Sequence, residues 1–122
     1  MFREKRSFKN SRGLNLLAIF EGRNRNSPAV VMCHGFGSSK DSESTSDLAQ
    51  KLITSGFNVY RFDFTGCGQS EGNLDQCTPN AGLDDLSSAV RNLGKEKFAL
   101  YGSSYGGFIS LMYASGKKIT SS

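Results

Sequence analysis

Histidine is nearly absent from this sequence of 122 residues, in which His34 is the only one. Cysteine is also scarce: Cys33, Cys67 and Cys77 are the only three, and no two of them form a C-x-x-C pair. An odd number of cysteines at these spacings fits neither a disulfide framework nor a zinc site. We therefore expect inert, reduced thiols in a cytoplasmic protein, with no bound metal.

Long apolar runs are missing too, because no stretch approaches the roughly 20 residues of a membrane span. The charged start at residues 1–10 is not followed by the apolar segment of a secretory signal. A hydrophobic content of 37% can still support the core of one soluble domain. The net charge of +4 comes without an aromatic-interleaved basic patch, so we expect neither a nucleic-acid partner nor a membrane partner.

Apolar segments and turn residues alternate along the chain in the order expected of an α/β fold. Short apolar runs predict strands at residues 14–20, 29–33, 57–64 and 98–101. Helical periodicity predicts helices from residues 44–46 to Gly56, around residues 83–93, and from Ser104 to Ala114. The last helix is apolar around its circumference, so we expect it to be buried on most sides. Strands that alternate with helices in this way favour a mainly parallel sheet.

The most specific motif is G-x-S-x-G at Gly102 to Gly106, where a strand is predicted to end and a helix to begin. A nucleophilic serine in this motif sits on a strained turn, and Gly102 and Gly106 avoid clashes of flanking side chains with the neighbouring backbone. Ser104 would begin the helix, whose N-terminus favours the negative charge that develops in acyl transfer. The pattern predicts a serine nucleophile.

Three motifs together resemble the α/β-hydrolase superfamily, in particular its serine aminopeptidase-like and cinnamoyl or feruloyl esterase-like members. They are VVMCHGFG at residues 30–37, RFDFTGCGQSEG at residues 61–72, and GSSYGG at residues 102–107. The resemblance implies a mainly parallel sheet with flanking helices, truncated after the nucleophile helix. Residues 1–122 would then be the N-terminal part of a single α/β-hydrolase domain.

The resemblance also implies the roles of several residues. Ser104 would be the nucleophile, and the backbone N–H groups of Phe36 and Tyr105 would form the oxyanion hole. His34 and Gly35 would shape the oxyanion loop, because in this superfamily the catalytic acid and histidine follow the nucleophile in chain order. His34 is therefore not expected to be the base.

The glycine loop at residues 66–72 has an alternative interpretation as a phosphate-binding loop. Glu71 stands where a dinucleotide fingerprint needs its third glycine, so we expect a structural loop and no cofactor. Asp63 is expected to hold this loop by accepting hydrogen bonds from backbone N–H groups. Asp84 and Asp85 precede the nucleophile, and we expect them to open a helix and complement its dipole rather than to serve as the triad acid.

No triad acid or base is evident after Ser104. We expect the chain to be part of a serine hydrolase that cleaves a small-molecule ester or amide through an acyl-serine intermediate and is not active alone. Two alternatives stay open: one half of a split hydrolase completed by a C-terminal polypeptide, and a non-catalytic remnant or interaction module. In the isolated chain the strand at residues 98–101 would be an open apolar edge, so that chain should aggregate or partly unfold.

Overall fold

One five-stranded sheet and three α-helices make up residues 1–116, the part of the chain that the computed structural model describes. The strands are β1 (Phe2–Lys9), β2 (Asn15–Gly22), β3 (Ala29–Cys33), β4 (Asn58–Phe62) and β5 (Ala99–Gly102). The helices are α1 (Glu43–Thr54), α2 (Pro79–Leu93) and α3 (Tyr105–Ser115), and a short 3-10 turn covers Leu74–Gln76. The six predicted elements from β3 to α3 are therefore present.

The strands lie in the order β1-β2-β4-β3-β5, and β3 pairs in parallel with both β4 and β5. β2 is antiparallel to β1 and to β4, so four of the five strands run in the same direction. The predicted mainly parallel α/β sheet is thus confirmed. β1 was not predicted, although its residues alternate between half-buried and exposed as in a strand packed on one face.

The central strands are buried on both faces, since every residue of β3 and of β4 is buried. The larger apolar cluster lies on the face covered by α2 and α3 and includes Phe62, Phe64 and Leu86. A smaller cluster lies under α1 and includes Met32 and Val59. The sheet therefore separates two cores.

Cap residues set the limits of the helices. The Ser42 side chain accepts from the Thr45 N–H and starts α1, two residues before the predicted caps. Thr78 caps α2 in the same way with Pro79 as its first residue. Gly94 and Gly116 end α2 and α3 in the left-handed conformation.

Two expectations about the helices are wrong. Asp84 and Asp85 do not open α2, because the helix begins one turn earlier and has no acidic residue in its first turn. α3 is not buried on most sides: Phe108 and Leu111 are 47% and 67% exposed. The reason is that α3 contacts α2, β3 and β5, and no other element within residues 1–116 covers its outer side. None of the helices described is long and apolar enough to cross a membrane.

Candidate active site

The turn between β5 and α3 is the most strained part of the described backbone. Ser104 has φ 57° and ψ −116°, and it is the one non-glycine residue within residues 1–116 with a positive φ. An L-residue held there costs on the order of 1–3 kcal/mol, and such strain collects at functional sites. The side chain of Ser104 is exposed and makes no capping hydrogen bond. The turn therefore presents a free hydroxyl at the N-terminus of α3.

Two glycines allow this turn to pack closely. A Cβ at Gly102 would collide with the backbone of Gly106 and Gly107. A Cβ at Gly106 would collide with the carbonyl groups of Cys33 and His34, at the end of β3. Because backbone rather than a flexible side chain lies in the way, neither position has room for a larger residue.

The loop after β3 lies beside Ser104. A Cβ built on Gly35 would be 3.7 Å from the Ser104 Cβ, and the rings of Phe36 and Tyr105 are in edge-to-face contact with centroids 6.1 Å apart. Within residues 1–116, the backbone N–H groups of Phe36 and Tyr105 donate to no acceptor. The structure thus places two unused N–H donors on the two segments that flank the Ser104 hydroxyl.

His34 is buried behind this loop, and backbone groups satisfy its imidazole. Nδ1 lies 2.7 Å from the Gly35 carbonyl oxygen, and Nε2 accepts from the Phe64 N–H at 3.1 Å. An Nε2 that accepts and an Nδ1 that donates describe one neutral tautomer. Burial lowers the pKa of His34, which also favours the neutral ring. The imidazole has no remaining nitrogen to act on the Ser104 hydroxyl.

A buried ion pair holds the same loop from the other side. The fully buried Asp63 carboxylate accepts from the Lys40 ammonium and from the Lys40 N–H, both at 2.7 Å, and from the Gln69 N–H at 2.9 Å. The Lys40 ammonium also donates to the Gln69 side chain at 2.8 Å. Asp63 therefore accepts from the glycine loop, as expected, and also fastens the loop that carries Phe36. Lys40 was not singled out from the sequence, since no local pattern marks it.

Arg61 extends this buried polar group toward the sheet. Its guanidinium donates to the Lys40 carbonyl oxygen and to the Ser46 hydroxyl, and lies 3.4 Å from the buried Glu21 carboxylate. These contacts tie the start of α1 to β2 and β4. The segment between β3 and α1 is thus fixed at several points.

The two acidic residues of α2 are occupied by other partners. Asp85 is fully buried and accepts from the Thr65 N–H at 2.7 Å, from the Asn10 amide at 2.9 Å and from Arg12 at 3.0 Å. Burial raises the pKa of Asp85, while these donors oppose the shift. Asp84 pairs with Arg12 at 3.2 Å. Both carboxylates anchor the β1–β2 turn rather than facing Ser104.

All three cysteines are buried free thiols. Cys33 is buried in β3, and burial raises its pKa to about 12, as expected of an inert thiol. Cys67 and Cys77 are buried as well, and both belong to the larger core.

The arrangement can supply a nucleophile and two N–H donors, and it lacks a free base and a free acid within residues 1–116. No group of three or more possible metal ligands is found in that part of the chain. The chemistry that these groups can support is addition of a hydroxyl to a carbonyl carbon, with the resulting oxyanion held by backbone N–H groups.

Known hydrolase sequences are similar to part of this chain. Bovine palmitoyl-protein thioesterase ABHD10 is 30% identical over 83 residues, which are 68% of this chain and 27% of that protein. A proline iminopeptidase of Saccharolobus solfataricus is 34% identical over 113 residues, or 88% of this chain and 35% of that protein. The chain thus spans about a quarter to a third of the length of these relatives.

Solved structures show the same fold. Mouse alpha/beta hydrolase domain-containing protein 10 superposes with a TM-score of 0.78 at 26% identity, covering 91% of this chain and 44% of that one. Est1E from Butyrivibrio proteoclasticus, solved with ferulic acid bound, gives a TM-score of 0.82 at 21% identity, covering 91% of this chain and 47% of that one. A family profile described as alpha/beta hydrolase fold matches residues 28–120. The chain belongs to the alpha/beta hydrolase fold family.

Proposed function

We propose that this chain carries the nucleophile and the oxyanion hole of a serine hydrolase that cleaves carboxylic esters or amides. Ser104 adds to the substrate carbonyl, the C–O or C–N bond to the leaving group then breaks, and the alcohol or amine departs with a proton. The acyl-serine that remains is hydrolysed by water. The N–H groups of Phe36 and Tyr105 hold the oxyanion. The observation that carries the proposal is the strained backbone of Ser104, exposed between β5 and α3.

The electrostatics around Ser104 support this assignment. The negative charge of a tetrahedral intermediate would form at the N-terminus of α3, where the helix dipole is favourable. The donors on Phe36 and Tyr105 are held in advance by the fixed loop and by the helix, so they need little reorganisation. Loss of one such donor typically slows acyl transfer by about 10²–10³-fold.

The base must come from outside these 122 residues, because the sequence has a single histidine and both nitrogens of His34 are engaged by the backbone. An unassisted serine hydroxyl is a weak nucleophile at neutral pH. We therefore propose that the chain is the N-terminal portion of the hydrolase domain and is not active alone.

The relatives' names narrow the reaction class but not the substrate. A palmitoyl-protein thioesterase and a proline iminopeptidase cleave substrates that have different leaving groups. Each enzyme separates an acyl group from its leaving group. Acyl transfer to water is the step that they share. We propose a small-molecule ester or amide as the substrate, with no cofactor, because a serine nucleophile, its base and the N–H donors carry out that step without one.

A chimera tests the assignment of Ser104. This chain replaces the matching segment of the Saccharolobus solfataricus iminopeptidase, so that the host supplies the acid and the base. A fluorophosphonate probe is expected to label the chimera, and Ser104→Ala should abolish labelling while Ser103→Ala, one position away, retains it. A chimera with native-like circular dichroism that stays unlabelled, or that is labelled in the Ser104→Ala variant, would contradict the proposal.

A second candidate, one half of a split hydrolase, is favoured by the open edge of β5. Within residues 1–116, β5 pairs with β3 and with no other strand, so one row of its backbone groups is unpaired. A C-terminal polypeptide that adds a parallel strand there would cover this edge and could bring the acid and the base. Affinity purification of the chain from its own cells tests this arrangement. A co-purifying polypeptide with a histidine supports it, and a chain recovered alone contradicts it.

A further inference from the structure

A cavity of about 250 Å³ opens beside the Ser104 turn, and we call it the α1 cavity. Its wall runs from Ser103, the neighbour of Ser104, across Gly35 to the first turn of α1 at Ser44. A Cβ on Gly35 would be 3.7 Å from the Ser104 Cβ, so this wall lies close to any group attached to that serine. The α1 cavity is therefore placed to hold part of a molecule that reacts with Ser104.

Apolar surface and hydroxyl groups both line the α1 cavity. Met32 in β3 and Tyr101 in β5 give it apolar surface, and Ser38 and Ser44 give it hydroxyl groups. Within residues 1–116, the hydroxyls of Ser38 and Ser44 make no hydrogen bond, and neither residue is fully buried. Small-molecule sites commonly combine an apolar wall with a few polar groups that fix the orientation of the ligand. The two hydroxyls are free to take this role.

Charge determines which kind of polar group suits the α1 cavity. No residue within residues 1–116 that lines it carries a formal charge, and His34, which borders it, is held neutral by the backbone. A charged ligand group would lose hydration there without gaining a counter-charge. Glu43, next to Ser44 in the first turn of α1, further disfavours an anion. The cavity therefore suits a neutral polar group.

We propose that the α1 cavity binds a neutral, hydroxyl-bearing part of the substrate, with Ser38 and Ser44 as its hydrogen-bonding residues. At the ~30 Å³ that a water molecule occupies in the liquid, the cavity holds about eight groups of that size, so a short polyol such as a glyceryl group fits. Each serine hydroxyl can donate and accept, as can each hydroxyl of a polyol. The link to the substrate rests on the proposed function, whereas binding of a polyol to the cavity does not.

Methyl NMR of the full chain tests binding without any activity. The sequence has three methionines: Met32 lines the cavity, Met1 is 85% exposed and Met112 lies on α3. The chain is labelled with ¹³C-methyl methionine and titrated with glycerol, or with propan-1-ol, which lacks two of the three hydroxyls. We expect a saturable shift of the Met32 resonance, at least about fivefold tighter for glycerol, because each hydrogen bond contributes about twofold or more to affinity. Met1 and Met112 report the effect of the bulk solvent. A Met32 resonance that follows them, or that responds equally to both alcohols, would overturn the proposal.

Substitutions test the two cavity hydroxyls. Ser38→Ala combined with Ser44→Ala should weaken glycerol binding at Met32 by at least about fivefold, and each single substitution by about twofold or more. The matched control is Ser7→Ala, which removes an exposed hydroxyl of β1 and should leave binding unchanged. The single substitutions keep the test decisive if the double variant does not fold. Native-like circular dichroism with unchanged glycerol binding in these variants would contradict the assignment of the two serines.

The link to the substrate is tested in the chimera with the iminopeptidase. Glyceryl butanoate is compared with propyl butanoate, and methyl 2,3-dihydroxypropanoate with methyl propanoate, so that each pair differs only in two hydroxyls. These hydroxyls lie on the alcohol part in the first pair and on the acyl part in the second. We expect kcat/KM to be at least about fivefold higher for the hydroxyl-bearing ester of one pair, and this ratio to fall in the double variant. The pair that shows the preference identifies the part of the substrate that occupies the cavity.

The outcomes separate this proposal from the proposed function. A chimera that hydrolyses the plain esters and shows no preference in either pair would overturn the link between the α1 cavity and the substrate, while the proposed function would stand. A chimera that the fluorophosphonate probe does not label would count against the proposed function. Glycerol binding at Met32 would still decide whether the cavity is a polyol site.

Discussion

We predict that the chain self-associates through the exposed apolar side of α3. Phe108 and Leu111 lie three positions apart on α3 and are 47% and 67% exposed. Complete burial of such a side chain contributes about 1.5–3 kcal/mol, so covering the exposed parts of both contributes about 2 kcal/mol. This free energy corresponds to about a thirtyfold tighter dissociation constant. Phe108→Lys combined with Leu111→Lys should therefore weaken self-association by at least that factor.

Sedimentation velocity over a range of concentrations measures this change. The matched control is Gln50→Lys combined with Thr54→Lys, which adds the same two charges at exposed positions of α1 without removing apolar surface. We expect the unmodified chain and the control to associate or precipitate, and the α3 variant to stay monomeric to higher concentration. An unmodified chain that is monodisperse and melts cooperatively as a monomer would refute the reasoning, and so would an equal gain from the control.

Three further outcomes can be measured in the α3 variant. Ser104→Gly should stabilise the fold by about 1 kcal/mol in urea unfolding, because relief of backbone strain exceeds the added chain entropy of glycine; a gain as large from Ser103→Gly would contradict this. Lys40→Met should lower the free energy of unfolding by about 3 kcal/mol, because Asp63 stays buried without its partner. If the loss is no greater than that caused by the same substitution of an exposed lysine of α1, the ion pair does not stabilise the fold as stated. The lowered pKa of His34 means that the unfolded chain binds its proton first, so stability should fall as pH drops below 6.5, by up to about 1.4 kcal/mol per pH unit. The single histidine resonance should titrate below 6.5, and a midpoint above 6.5 would exclude this mechanism.

The sequence predicts those elements whose signal is local. β3 and β4 are continuous apolar runs, and α1 and α2 show clear helical periodicity between cap residues. β1 was missed because charged residues dominate it. Glu4 and Arg6 point to its inner side, where their ion pair at 3.0 Å makes two half-buried charges acceptable. That compensation exists only in the folded chain.

The site shows the same division. The glycines around Ser104 mark a turn that local sterics require, so this strained turn could be found from the sequence. The Lys40–Asp63 ion pair joins residues that are far apart in sequence, and no spacing rule connects them. The sequence contains no candidate for a catalytic base, because both ring nitrogens of its one histidine are engaged by backbone groups.

The most direct test of the account is the intact mass of the natural polypeptide before and after treatment with a fluorophosphonate probe. We predict a labelled species much heavier than 13.2 kDa, or labelling of the 13.2 kDa chain only in a complex with a second polypeptide, with the probe on Ser104 in either case. A natural polypeptide of 13.2 kDa that is folded and stays unlabelled both alone and in every complex that it forms would contradict the hydrolase assignment. Labelling of the isolated chain at the rate of a complete serine hydrolase would contradict the claim that the base lies elsewhere.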